Sequence, residues 1–549
     1  MKSRFRTPIN ARNRRVRRRT EQPSFGTAAT TWRRHASSSS SSSYSFKGEK
    51  LRIAIVGSGC AGLSCALHLA PLVDQGLVAG PIDLFDNAQK QTRARTIGVG
   101  IWSTALQPFA TSQRESHQLV WRGLSETHGT WLEKVGYRTP NGTWLMQSHL
   151  SPASMPSLLF VKERDLMETL QKAVHWEEHH HGTTVQVHAG KAATVGGLYE
   201  ASPAPDSTNL LLPESELSMS ARDYHLIIAT DGIHSILRNT YGGYESPARR
   251  LTGSSAFQKG TTGADYSVAP STGDRLEDIT GVDDRGYTVF RGNAPRQLRQ
   301  KDEDDISFQT WGTEKSMRFA SVPLRCEQQQ HREMQTWFAT IADDAITAET
   351  DAERRKEQLV HAFRGWHDPV CDTIQSTPAE DILMERAVAH RHCMSPLLQL
   401  NTMTLPNLRG KRPPSSGEGP AVVFLGDAFM TVDPILAQGF TMAMEGAAGL
   451  RTSVENCCVP AGELAFDPQL LRTELRDRHD ARVERLACLL RSTELVQSLS
   501  QPSTPIASFF NTRLLRPSLS LVPNTVKAPI FDAVLRYSLG MSVTGQKDA

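Results

Sequence analysis

Hydrophobic positions fall into two textures along this chain. Short unbroken apolar runs occur at Ile53–Val56, Leu226–Thr230 and Ala421–Leu425, each followed by glycine or aspartate. Such runs predict strands buried on both faces, as in a parallel sheet. Ile82–Asp86 predicts one more strand, ending in an acid. Between 242 and 405 the pattern shifts toward alternation, at Tyr287–Phe290, Ser307–Trp311 and, less cleanly, Trp337–Ile341. That predicts a mostly antiparallel sheet with one face packed and one free, plus a helix near Asp351–Phe363. Thr183–His188 also alternates. Helical spacing marks the Ala/Leu-rich stretch to Leu69, Arg164–Leu170, Thr441–Leu450 and Leu470–Leu490. The last is highly charged, and its Arg/Glu/Asp face predicts a solvated surface. Ser202–Pro213 and Lys411–Pro420 read as loops, and no internal repeat is visible.

These elements predict an α/β fold: a Rossmann-like parallel sheet interrupted by an inserted antiparallel one. The parallel part takes residues 51–241 and 406–490, the inserted substrate-binding sheet 242–405, and a helical tail 491–549. The first strand runs into Gly57-Ser58-Gly59-Cys60-Ala61-Gly62 and then a helix. Gly57 permits the tight turn, Gly59 lets backbone approach a pyrophosphate, and Gly62 lets helix and strand pack closely. Asp86 follows Gly62 by 24 residues, where an acid can hold the ribose of an adenine dinucleotide. By itself this pattern leaves NAD and FAD open. Asp231-Gly232 ends another strand, where ligands meet an open α/β sheet; a simple Asp-Gly turn is the plainer alternative.

Composition changes the picture in one place. The 549 residues are 39% hydrophobic and 22% charged, as in a globular protein, and no apolar run is long enough to span a membrane. The net charge of +3 is uneven: Met1–Ser40 holds 11 Lys/Arg against Glu21, a local +10, leaving −7 for the rest. A mildly acidic body gives no reason to expect nucleic acid as a partner. The basic leader, running into Ser37–Ser43, reads as a mitochondrial presequence, with a nuclear address at Arg14–Arg19 as the alternative. Residues 1–50 are therefore expected to be disordered and outside the fold. Eight scattered cysteines without CxxC pairs suggest reduced thiols and an intracellular protein. His390, His392 and Cys393 lack a second cluster at ligand spacing, so no metal site is expected. His179-His180-His181 reads as a polar loop.

Four pieces stand in one order: Gly57–Gly62 with Asp86, Arg164-Asp165-Leu166, Asp231-Gly232, and Gly426-Asp427 followed by Pro434 and Gly439. From Arg52 to the helix near Leu490 the chain resembles the single-component flavoprotein aromatic hydroxylases, typified by para-hydroxybenzoate hydroxylase. Salicylate hydroxylase-like and ubiquinone-biosynthesis hydroxylases belong to the same broad group. The resemblance implies FAD at the first motif. Gly57, Gly59 and Gly62 would take the pyrophosphate, Asp86 the adenosine ribose, and Asp427 the ribityl chain. Arg164 would sit near phosphates or ribose. Asp231 and Gly232 would serve both FAD and NAD(P)H, and Pro434 to Gly439 would lie against the isoalloxazine ring. A separate nicotinamide-binding Rossmann domain is missing in that family, which fits the lack of a second glycine fingerprint here.

The resemblance further implies a monooxygenase. NAD(P)H reduces the flavin, O2 adds to give a flavin hydroperoxide, and one oxygen passes to a small, aromatic substrate. A dehydrogenase, reductase or halogenase on the same fold is the first rival. A ubiquinone-biosynthesis-type component of a mitochondrial complex is the second. The leader motivates the second, and departures from the family pattern motivate the first: Gly426-Asp427 continues with Ala428-Phe429-Met430, Ala437 replaces a glycine in the turn, Thr441 replaces an asparagine, and Gly446 an acid, with Glu445 adjacent. Two residues outside the motifs are candidates for chemistry. Asp433 could be a catalytic base or only a turn cap. Arg291 could recognise a substrate carboxylate with its planar fork or be a structural sheet arginine. Substrate identity and oligomeric state are not encoded in these patterns.

Overall fold

A computed structural model describes residues 50–86, 95–150, 157–180, 184–189, 224–233, 235, 237, 283–296, 307–312, 317–325, 334–389, 421–434, 437–458, 467–500, 518 and 521–538. All lie in one unit, Phe46–Ala549. The basic leader, both loops at 202–213 and 411–420, His181, and the 390–393 cluster lie outside the described residues, as does most of the tail.

The three apolar runs stand side by side in a five-stranded parallel sheet. Its order is β15 (Ala421–Phe424), β9 (Leu226–Ala229), β1 (Ile53–Val56), β2 (Ile82–Asp86) and β8 (Val185–Ala189). Every residue of β15, β9 and β1 is buried, which explains their unbroken hydrophobicity. In-register pairing of Val56 with Phe85 and Ala229, and of Ala229 with Phe424, aligns the carboxyl ends. Gly57, Asp231 and Gly426, far apart in sequence, thus leave the sheet along one edge. Helix α1 (Cys60–Asp74) covers one face, packed by α4 (Glu163–His180) and α7 (Gly439–Cys457). His179 and His180 belong to the last turn of α4 rather than to a loop. The helical period simply continues through those polar residues.

A mostly antiparallel sheet has seven strands: β14 (Leu383–Ala389), β10 (Asp283–Pro295), β13 (Met334–Ile341), β12 (Arg318–Leu324), β11 (Ser307–Trp311), β5 (Lys134–Arg138) and β6 (Trp144–His149). Two strands therefore come from before residue 242, with β5 parallel to β11. The boundary drawn at 242 does not divide the sheet. Alternation places Phe290, Phe319 and Trp337 on one face, against helices α5 (Ala352–Ala362) and α6 (Val370–Gln375). The other face is the wall of a cavity. A third, three-stranded sheet, β3 (Gly98–Trp102), β7 (Leu158–Lys162) and β4 (Thr130–Leu132), stands between the two larger ones.

The charged helix α8 runs from Pro468 to Ser500 and is not a plain solvated surface. Arg482 sits 4.5 Å over the Phe429 ring and donates to the Phe424 carbonyl. Arg485 pairs with Glu445 at 2.6 Å. These guanidinium groups reach inward because α7 offers glycines: a Cβ on Gly449 would lie 3.2 Å from Arg478 Cζ, and one on Gly446 3.5 Å from Arg482 Nη2. The chain thus uses long arginine stems where an acid was expected at 446.

Two buried histidines stand between α1 and α3 (Glu115–Arg122). His68 is 1% exposed, 4.5 Å from the Phe109 ring and 5.3 Å from that of His117. His117 Nε2 donates to the Leu67 carbonyl at 2.9 Å. Burial first, then His117 and Arg451, hold His68 well below its ordinary 6.5. Burial also lowers His117, aided by Arg114 and Arg451 and opposed by Leu67 and Glu177. Both rings favour the neutral form when folded, while the unfolded chain protonates them near 6.5. Their stability contribution is complete above that value and is lost as pH falls below it toward the folded values. The melting temperature should fall between about pH 7 and pH 5.5, and His68→Leu should flatten that slope. Equal slopes in wild type and variant would refute the assignment.

Candidate active site

At the dinucleotide end each glycine has a distinct geometric task. Gly57 has φ +107°, and a Cβ there would lie 2.5 Å from the Thr230 carbonyl oxygen. A Cβ on Gly62 would sit 1.8 Å from the Gly57 carbonyl oxygen. Gly59, the N-cap of α1, faces open space: a Cβ there meets nothing within 4 Å. No side chain caps α1 and its first turn holds no acid, so its positive end is available to an anion. Thr230 Oγ1 braces the turn by hydrogen bonds to Val56 O and Gly57 O at 2.9 and 2.8 Å.

The fourth motif joins the first directly. Gly426, at φ +59°, lies against α1: a Cβ there would be 3.0 Å from Ala61 Cβ. Asp427, in the short turn Gly426–Ala428, is exposed and lines the cavity. Asp86 ends β2 beside Gly57, whose N–H donates to Phe85 O at 2.9 Å; its side chain is outside the described atoms. Asp231 accepts from Leu237 N at 3.3 Å, and Gly232 has φ +82° with open space around it. Arg164 is 40% exposed, 3.5 Å from Asp165 and 3.8 Å from Glu168, and does not line the cavity.

That cavity, about 320 Å³, lies between the Pro434–Gly439 turn, β3 with β7, and the open sheet face. Ile435 and Leu436 are outside the described residues. Ala437 takes φ +52°, so this turn keeps a left-handed residue although it is not glycine. Gln438 is completely buried, and both of its amide atoms lack a hydrogen-bond partner among the described residues. An orphaned amide costs free energy unless a ligand meets it.

Alternate residues of the sheet face the cavity: Tyr287, Val289 and Arg291 on β10, Arg318 on β12, Phe338 and Thr340 on β13. Asp433 is not in that wall. It is 2% exposed, Oδ1 accepts from Tyr287 OH at 2.8 Å, and Oδ2 accepts from Arg285 Nε at 3.1 Å. With both oxygens committed it anchors the turn to the sheet, a position that favours a structural role over that of a base facing the cavity. Tyr287 stays a neutral phenol, its pKa raised by burial and then by Asp433. Arg291 touches the cavity, but Nη2 pairs with Glu385 at 3.2 Å, and Glu385 also holds Arg95. Burial, then Arg95, pushes Arg291 down to about 10, opposed by Glu163 and Tyr287. The structure therefore favours its sheet role over carboxylate recognition.

Arg318 leaves more of its guanidinium open than Arg291, which lacks a partner among the described residues only at Nε. Arg318 is 6% exposed, lines the cavity 5.3 Å from the Tyr287 ring, and its Nε and Nη2 have no partner among the described residues. Burial lowers its pKa, while Tyr287 and Asp433 oppose the shift. The sequence patterns assign no individual role to Arg318 or to Gln438, although Gln438 lies in the Pro434–Gly439 turn. The usable signal was alternation: Arg318, Ala320 and Val322 share the cavity face, so the arginine points into an apolar wall.

No family model matches the chain. Among solved structures it is similar to HpxO of Klebsiella pneumoniae complexed with FAD and uric acid: 17% identical, TM-score 0.54, covering 88% of this chain and 97% of that one. CtdE, in complex with FAD and a substrate, is 13% identical with TM-score 0.52, over 89% and 99% of the two chains. These likenesses show that the chain has the fold of those FAD complexes. A curated relative, the aurachin C monooxygenase/isomerase of Stigmatella aurantiaca, is 29% identical over 166 residues, 30% of this chain. The match spans about a third of that relative's length, 34%.

Proposed function

We propose that this protein is an FAD-dependent monooxygenase that uses NAD(P)H and O2 to hydroxylate a small, planar aromatic molecule carrying an acceptor oxygen. The observation that carries this reading is the Arg318 guanidinium, whose Nε and Nη2 have no partner among the described residues, in a cavity rich in aromatic side chains that Gln438 also lines. The HpxO and CtdE complexes, a shared fold with bound FAD, support it, as does the aurachin C monooxygenase/isomerase.

The residues present fit FAD. Gly59 leaves a cradle that any Cβ would fill, Asp427 offers a carboxylate to a polyol, and the orphaned Gln438 amide offers a donor and an acceptor to a polar ring edge. Gly57, Gly62, Asp86, Arg164, Asp231 and Gly232 complete the dinucleotide end in this reading. When bound, the flavin supplies the electron transfer and the activation of O2. The protein supplies position and charge. Arg318 holds the substrate oxygen and, by its charge, favours the anion of a phenol or acid. Tyr287, tied to Asp433, keeps that arginine's surroundings fixed. The aromatic wall, with Phe160 and Phe338 at 6.2 Å, excludes water.

Purified protein should be yellow, with near-stoichiometric FAD, and should consume NAD(P)H and O2 together on addition of an aromatic acid or phenol. Arg318→Met should raise KM for anionic substrates about 10- to 100-fold, the worth of lost charge-assisted bonds, with Arg318→Lys between. A colourless protein that retains no FAD would end this reading, and reduction only through a partner reductase would remove its single-component form. The Arg-rich leader supports mitochondrial import as part of the same proposal, a location that fits the alternative of a quinone-biosynthesis hydroxylase.

A further inference from the structure

Three separate parts of the molecule converge on β3. Gly98 N donates to Thr336 Oγ1 of β13 at 3.1 Å, and a Cβ on Gly98 would lie 2.5 Å from Thr336 Cγ2. Trp102 N donates to Thr441 Oγ1, in the first turn of α7, at 3.0 Å. Between them, a Cβ on Gly100 would lie 2.8 Å from Ala437 Cβ and 3.2 Å from the Phe160 ring. The substrate sheet, the ring-facing turn and the helix behind it thus meet a strand that carries no side chain at Gly98 and Gly100.

Ala437 is the one non-glycine with positive φ among the described residues, at +52°. A residue with a Cβ reaches that conformation only at a cost, and it persists where the surroundings over-determine it. Two contacts do so here. Ala437 N donates to Pro434 O at 3.0 Å, closing the turn, and the methyl occupies the notch above Gly100. Glycine at 437 would take the same φ without strain but would leave the notch empty. Any residue larger than glycine at 100 would drive the turn outward.

We propose that Gly100 and Ala437 are a matched positioning pair. The methyl seated in the Gly100 notch fixes the Pro434–Gly439 turn, and with it the buried Gln438 amide, at the ring end of the cofactor site. The proposal rests on the FAD reading above and deepens it: the two ends of the site are set by different contacts. Gly57–Gly62 sets the adenine end without β3, and the Gly100–Ala437 contact sets the ring end.

The two ends can be probed separately. FAD affinity reports both, and ADP affinity reports the glycine-fingerprint end alone. Gly100→Ala should weaken FAD at least about tenfold and leave ADP within about twofold. Gly100→Ala combined with Ala437→Gly should return FAD affinity to within about threefold of wild type, once the Phe160 ring has given slightly. Ala437→Gly alone should weaken FAD about threefold, with ADP unchanged. A double variant as poor as Gly100→Ala overturns the pair, and so does equal weakening of ADP and FAD. If Gly100→Ala does not fold, Ala437→Gly decides, and wild-type FAD affinity in that variant overturns the proposal. Wild-type protein that binds ADP but not FAD overturns the FAD reading itself, and the pair with it.

Discussion

Gly62→Ala and Gly59→Ala should both abolish or sharply weaken cofactor retention, but only the first should damage the fold. The new methyl of Gly62→Ala would lie 1.8 Å from the Gly57 carbonyl oxygen and 2.7 Å from Thr230 Oγ1. The first distance is inside any permitted contact and involves backbone that is already pinned by β1 and β9. Either α1 moves away from the sheet or the Gly57 turn opens. Overpacking in a well-packed core costs about 1–3 kcal/mol, and a clash with fixed backbone belongs at or above the upper end. At Gly59 the backbone is extended, with φ −68° and ψ −179°, which any residue adopts. Its methyl meets no protein atom within 4 Å. Gly59→Ala should therefore melt within about 2 °C of wild type while FAD affinity drops at least about tenfold. Thermal denaturation and flavin-fluorescence titration separate the two. Unchanged FAD affinity in Gly59→Ala would show that nothing approaches that backbone.

The contrast marks what the sequence could reveal. The glycine fingerprint is local: strand, turn and helix are contiguous, so their roles follow from spacing alone. Gly426-Asp427 was legible for the same reason, as a polar pair just past a buried run. Its contact with Ala61 then needs only the rule that parallel strands share one carboxyl edge. Alternation at Tyr287–Phe290, Ser307–Trp311 and Trp337–Ile341, in β10, β11 and β13, likewise predicted a sheet with one packed face. What could not be read is pairing between distant positions. Whether Asp433 is a base or an anchor depends on whether Tyr287 and Arg285 reach it. Whether Arg291 or Arg318 is open depends on where Glu385 lies. The inward arginines of α8 depend on glycines that α7 happens to present. The alliance of β5 with β11 has no local signature, because an alternating strand fits any sheet edge of matching polarity.

Removing the Asp433 carboxylate should be the most damaging single change at the substrate side, and its signature distinguishes an anchor from a catalytic base. Asp433 is 2% exposed and holds Arg285, whose side chain is 9% exposed, together with the Tyr287 hydroxyl. Asp433→Ala removes the carboxylate that pairs with the nearly buried Arg285 guanidinium, near Arg318, whose Nε and Nη2 already lack a partner among the described residues. Breaking one side of a buried pair costs about 3–5 kcal/mol. Asp433→Asn keeps an acceptor for Tyr287 but loses the charge opposite Arg285, so a cost of about 1.5–3 kcal/mol is expected. The two should thus fall in order below wild type in urea denaturation. The loss should also loosen the Pro434–Gly439 turn from the sheet, because Asp433 is the residue joining them. Turnover in Asp433→Asn should then fall no more than about tenfold, with an unaltered pH profile, since no proton passes through this carboxylate. A base would behave in the opposite way. Wild-type stability in Asp433→Asn, with turnover down by about a thousandfold and one limb of the pH profile gone, would return Asp433 to the chemistry.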